Sequence, residues 1–329
     1  MPLYSTAASV FIALQIISLL LILCLIVIIL SSNSHFAKWT LIQVCISAFG
    51  CGFTNLPLII MYGDGAADGL IERAFETPWC IILQKVSLFF LFPLEFFCCA
   101  LAFYLWYALV KRDFDIEKKY CWLVSTLVWS YTTIYNGILL EIASRVEHWG
   151  VFPGSLNCKT SGIIPSFYGY VVPTSIIVLL AVLMSLHSAY ILRDRWSHFY
   201  NAKNRTTAIR LGEVVRLFAW SFTFVVLLTL PLIPRVIQNE SQIDDNYYII
   251  NIAKIANFGA ASTGTLLFLI FGTNRKAAYF LPCYYAPPNK VRGPLLNDYD
   301  NYDNPKLTKM PNAYFKKDNG NYYKRREYA

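Results

Sequence analysis

Apolar residues along this chain come in long unbroken runs, not in the alternation of half-buried strands or the three-four spacing of surface helices. Seven such windows stand out, at roughly 7 to 30, 39 to 62, 80 to 110, 120 to 144, 164 to 192, 211 to 237 and 247 to 271. Each reaches the ~20 residues that the hydrocarbon core of a bilayer requires. Short polar loops separate them. A bilayer leaves backbone N–H and C=O groups no partner outside their own segment, so runs of this length and continuity predict helices and not barrel strands. The first window, ASVFIALQIISLLLILCLIVIIL, is longer than the apolar core of a secretion signal and has no basic residues ahead of it. It is expected to be retained as a helix. The fold class predicted is an all-α membrane protein, a seven-transmembrane helix bundle.

Composition agrees with the pattern. Of 329 residues 56% are hydrophobic and only 15% charged, too few charges for an ordinary soluble surface. The formal net charge of +8 is explained by where the cations fall. The first, third and fifth loops hold Lys38, then Lys111, Arg112, Lys118 and Lys119, then Arg193, Arg195, Lys203, Arg205 and Arg210, while the second, fourth and sixth hold only Arg73, Arg145 and Lys159. Eleven more Lys and Arg follow Phe271. Basic loops stay in the cytosol, which predicts an extracellular N-terminus and a cytosolic C-terminus in the plasma membrane. The excess charge is topological, and nucleic acid is not expected as a partner.

Among nine cysteines, Cys24, Cys45, Cys51, Cys98, Cys99 and Cys121 fall in or at the edge of predicted helices, and Cys283 falls in the tail. Cys80 and Cys158 remain as the outward pair, in an oxidising compartment, and a disulfide between them is expected. Asn239-Glu240-Ser241 is a glycosylation sequon in the sixth loop, also outside. No nucleophile elbow, helical His-x-x-x-His pair or glycine-rich phosphate loop occurs, so neither an enzyme nor a cofactor is expected.

Seven helices, an outer N-terminus, and a cysteine at the head of the third helix with another in the following outer loop resemble G-protein-coupled receptors. Trp129, Pro173 and Pro231 in LLTLPLIP agree with that likeness, Pro231 as a hinge in the sixth helix. The chain departs from rhodopsin-like receptors in WYALVKRDFD, which lacks the Asp-Arg-Tyr triplet, and in NFGAASTGTLLFLIFG, which lacks Asn-Pro-x-x-Tyr. Its closing IFGTNRK and short loops are more similar to the divergent fungal and amoebal nutrient-sensing and cAMP-receptor-like receptors. The resemblance implies a receptor domain over 1 to 285, ending in the short amphipathic eighth helix FGTNRKAAYFLPCYY with Cys283 placed for palmitoylation. A tail over 286 to 329, rich in Asn, Asp, Lys and Tyr, is expected to be disordered in the cytosol.

One residue breaks the longest apolar run. Glu95 lies inside LFFLFPLEFFCCALAF with 15 residues on either side in its window, about 22 Å each way at 1.5 Å per residue, hence near the bilayer midplane. A charge at that depth costs at least ~2.5 kcal/mol, so the carboxyl is expected to face the bundle and meet a polar group of helix two, six or seven. Lys254 is the first candidate, with Asn55 and Asn257 as neutral alternatives. The expected ligand site is an outer polar pocket floored by Glu95, with Lys85, Lys254, Asn257, Tyr168 and Tyr170 around it. A purely structural ion pair is the competing expectation. His187 is expected to be an ordinary hydrogen-bonded helix residue.

The receptor likeness implies an extracellular small-molecule ligand and a heterotrimeric G protein as partners. The effector surface is expected at KRDFDIEKK and RDRWSHFYNAKNRTTAIR, through Lys111, Arg112, Arg193, Arg195, Lys203 and Arg205, with Glu213 and Arg216 as a resting-state lock. Two other functions compete. A retinal photoreceptor would use Lys254 with Glu95 as counter-ion, although Ile250 stands where microbial rhodopsins carry an aspartate; a small-solute transporter would need repeat symmetry, which is not visible.

Overall fold

The computed structural model describes residues 6–31, 37–62, 78–111, 115–142, 149–151, 158–160, 168, 170–201, 214–227, 229 and 255–272. These residues form helices throughout, apart from one short ribbon. Helices α1 (Thr6–Ser31), α2 (Lys38–Tyr62), α3 (Pro78–Lys111) and α4 (Ile116–Ile142) come first. The antiparallel strands β1 (Trp149–Val151) and β2 (Cys158–Thr160) follow, with Gly150 opposite Lys159. Helices α5 (Val172–Asn201), α6 (Val214–Leu227) and the bent α7 (Ile255–Ala261 with Thr263–Gly272) complete the described chain. Every predicted window therefore contains helix. Four of these helices, α1, α2, α3 and α5, are long and apolar enough to cross a membrane, and α7 makes a fifth if its two pieces count as one span.

Helix α3 is the centre of the bundle. It packs against α2, α4, α5 and the strand β2, while α1 packs against α2 and α7. One large apolar cluster joins these elements, with Leu25 and Ile29 of α1, Leu41 and Cys45 of α2, Phe97, Leu101 and Leu105 of α3, Trp220 and Phe224 of α6, and Leu267 and Phe271 of α7. The outward faces are equally apolar: Ile17, Leu20 and Val27 of α1 and Leu179, Leu183 and Leu186 of α5 are exposed. A surface of that kind suits lipid and not water. Trp39, Trp79 and Trp122 are exposed near helix starts, where indole rings settle at a membrane boundary.

Small residues set how closely α2 and α3 approach. A Cβ placed on Gly50 would run into the ring of Phe90, whereas one on Gly137 of α4 would meet nothing. Gly50→Val should therefore cost about 1–3 kcal/mol of stability through overpacking. Gly137→Ala should leave stability unchanged or raise it by up to ~1 kcal/mol, because alanine restricts the unfolded chain. Thermal unfolding midpoints of the two purified variants check the contrast.

Candidate functional site

Pro93 removes an N–H from the ladder of α3 two residues before Glu95, so one rung is missing close to its one acidic side chain although the helix runs on unbroken. Glu95 itself is 0% exposed, between the fully buried rings of Phe92 and Phe97. The Thr174 hydroxyl of α5, also fully buried, donates to Glu95 Oε2 at 2.9 Å. The prediction that this carboxyl faces the bundle holds. The fifth helix, which sequence reasoning did not name as a source of partners, supplies this donor. Thr174 follows Pro173 at the start of α5, and nothing in its local sequence points to a partner on α3.

Further polar groups of α2 and α3 pair about two turns nearer the start of α3. Ser87 of α3 donates to Asn55 Oδ1 at 3.3 Å, and the Cys51 thiol of α2 donates to the Ser87 carbonyl at 3.6 Å. Cys51 and Cys98 both lie within electrostatic reach of Glu95. Cys98 belongs to the same apolar cluster as Trp220 of α6. Tyr170 is buried and packs on Phe92, ring centroids 6.3 Å apart, which brings it one helical turn from Glu95. Tyr168 is 62% exposed, so of the two tyrosines Tyr170 is the one turned inward. Lys85 is half-buried higher on α3, and Asn257 is buried on α7. Lys254 lies outside the described residues.

A second carboxyl, Glu117, is held in the first turn of α4. The residues leading into α2, Ala37 and Lys38, include no side-chain oxygen to cap a helix, and Ala37 adopts a left-handed φ of 55°. The cap comes instead from α4. Glu117 Oε1 accepts the Thr40 N–H at 2.7 Å, and the N–H groups of Trp39 and Lys38 and the Thr40 hydroxyl also turn to this carboxyl. A negative group suits the positive end of a helix. Farther along the same seam Gln43 donates to Ser125 Oγ at 2.6 Å and accepts from the Trp129 indole at 3.3 Å. Trp129 is thus a bridge between α4 and α2, a role its position in the sequence did not disclose. His187, as expected, is a hydrogen-bonded helix residue: its Nδ1 accepts the Trp106 indole N–H at 2.7 Å.

Of the remaining predicted residues, Lys111 and Arg193 are exposed at the ends of α3 and α5. The backbones of Arg195, Cys80 and Cys158 belong to described elements, but their side chains lie outside the described residues, so the disulfide does too. Arg112, Lys203, Arg205, Glu213, Pro231, Asn239 and Cys283 also lie outside them. Arg216 is half-buried on α6. Among the described residues no cluster of His, Cys, Asp and Glu is suited to a metal ion. No protein-family model matches this chain, and no curated protein is found to be similar to it.

Two outcomes follow from this geometry. Thr174→Val keeps the shape of the side chain and removes its donor, and it should lower stability by about 1 kcal/mol, while Thr174→Ser should stay near the parent. Chemical or thermal unfolding in detergent measures both. Glu117 precedes the predicted fourth span, and burial raises its pKa above the ordinary 4.5 despite the helix N–H groups that pull it down. The folded chain then holds a proton that the unfolded chain releases. The group's contribution to stability is full below 4.5 and is lost as pH rises through the folded value. Between about pH 4 and 8 the unfolding midpoint of the parent should fall more than that of Glu117→Gln, whose amide does not titrate; parallel curves would contradict this.

Proposed function

We propose that this chain is a seven-span plasma-membrane receptor, N-terminus outside, that binds an extracellular small molecule and signals through a heterotrimeric G protein. The observation that carries the reading is Glu95, a carboxyl with no solvent contact, hydrogen-bonded from the central helix α3 to Thr174 of α5. Such a group is costly to bury, and its bond joins two helices whose opposite ends lead to the basic loops. A ligand arriving from outside that alters the partner of Glu95 alters the packing of α3 on α5. Lys111 at the end of α3 and Arg193 on α5 then present the change to an acidic effector surface, together with Arg112, Arg195, Lys203 and Arg205.

Several observations support this reading. Each of the seven predicted windows contains helix among the described residues. The ribbon β1–β2 follows α4, and its second strand packs on α3, the arrangement that a bond between Cys80 and Cys158 would reinforce.

The test uses the full chain in lipid nanodiscs with purified heterotrimeric G protein and measures nucleotide exchange. Glu95→Gln should change basal exchange by at least about fivefold, the scale of an ordinary coupling free energy. Surface expression should be unchanged. Charge reversal at Arg193, Arg195, Lys203 and Arg205 should abolish the exchange. Exchange that is absent in the parent, or identical in both variants, would overturn the proposal; visible absorbance on adding retinal, lost in Lys254→Ala, would replace it with a photoreceptor.

A further inference from the structure

Helix α7 turns by 51° between Ile255–Ala261 and Thr263–Gly272, and no proline lies in this stretch, NFGAASTGTLLFLIFG. The bend has a local cause. The Ser262 hydroxyl donates back to the Gly259 carbonyl at 2.8 Å, and the Thr263 hydroxyl reaches the same carbonyl at 3.4 Å. Hydroxyls that bond back to the preceding turn compete with the backbone ladder and bend helices. Gly259 and Gly264 flank the break and weaken the helix further. Past it come only five α-helical residues, Thr263–Leu267, before the wider π turn Phe268–Gly272. Irregular turns of this kind are concentrated where helices work.

Two contacts hold the segment after the bend. On one side Ser18 of α1 accepts the Thr265 N–H at 3.1 Å and shares a second hydrogen bond with the Thr265 hydroxyl, also at 3.1 Å. Gly264 makes the approach possible, since a Cβ there would meet the Ser18 carbonyl and the Ile22 side chain. On the other side Phe271 meets Trp220 of α6 edge to face, centroids 6.1 Å apart. Trp220 shares its apolar cluster with Cys98, three residues from Glu95 on α3. Apolar packing therefore runs from beside the buried carboxyl, through Phe97, Cys98 and Trp220, to Phe271 in the far half of α7.

We propose that Thr263–Gly272 is a movable half-helix, hinged at Ser262 and latched to α1 by the Ser18 hydroxyl. The Trp220–Phe271 contact reports the state of Glu95 to it. The hinge and latch stand on this geometry alone, whereas their use in signalling rests on the receptor reading.

The experiment places spin labels, through a noncanonical amino acid that leaves the native cysteines untouched, at Leu269 of α7 and Leu127 of α4. Both positions are exposed. Distances are measured by electron–electron resonance on the full chain in nanodiscs. The parent should give one main distance. Ser18→Ala and Gly264→Ala should each populate a second distance, shifting the ratio of the two by about fivefold, the effect of one ordinary hydrogen bond. Ser18→Thr retains the hydroxyl and should restore the parent distribution. Glu95→Gln should also shift the ratio. A single unchanged distance in Ser18→Ala and Gly264→Ala would overturn the latch, as would a Ser18→Thr variant behaving like Ser18→Ala. An unshifted ratio in Glu95→Gln would overturn the link to the carboxyl. A shift in distance without any change in nucleotide exchange would remove the hinge from signalling and leave the hinge itself intact, whereas exchange absent in the parent would remove the receptor reading.

Discussion

A carboxyl group with no path to water must find its hydrogen-bond donors inside the fold, and at Glu95 this requirement shapes the bundle around α3. Thr174 has to reach it from α5, which fixes the rotation of both helices. The aromatic residues beside it follow from that rotation: Phe92 is turned to Tyr135 of α4 and to Tyr170 at the start of α5, and Phe97 enters the apolar cluster that holds Trp220 of α6. Apolar packing alone would tolerate many rotations of α3, because every side of it carries Phe or Leu. A buried polar pair tolerates few. Glu117 applies the same rule at the start of α4, where it supplies the cap that the first turn of α2 lacks.

How much of this was legible in the sequence differs from one residue to the next, for physical reasons. Helix positions were readable because span length is dictated by the bilayer and not by tertiary packing. The inward orientation of Glu95 was readable because a carboxyl in an apolar run has nowhere else to go. Thr174 was not, since a hydroxyl in a helix ordinarily bonds to its own preceding turn and gives no sign of a distant partner. The cap of α2 comes from 77 residues away, beyond any local pattern. Pro231 lies outside the described residues, while the bend at Ser262, made by two hydroxyls and two glycines, has no proline to mark it in the sequence. Helix α4 was expected to span like the others. It is helical over its whole length, yet Glu117, Lys118, Lys119 and a series of Ser and Thr residues make it more polar than the four helices that are clearly apolar enough to cross.

The polar contacts also explain how a bundle with so few charges could respond to its surroundings. Each one ties two helices together at a single level: Ser18 with Thr265, Asn55 with Ser87, Gln43 with Ser125 and Trp129, Glu95 with Thr174. Between these levels the packing is apolar and interchangeable. A change at one contact can therefore rotate or release a helix without unravelling its neighbours, which is the physical content of a switch in a closely packed protein.

The central claim is that Glu95 and Thr174 act on each other directly, and a double-mutant cycle tests it most closely. Unfolding free energies are measured for the parent, Glu95→Gln, Thr174→Val and the combined variant in one detergent. The account predicts a coupling of about 0.5–1.5 kcal/mol, because removing either partner already removes the bond. Effects that add within ~0.3 kcal/mol would show that the two side chains are neighbours without a stabilising bond between them.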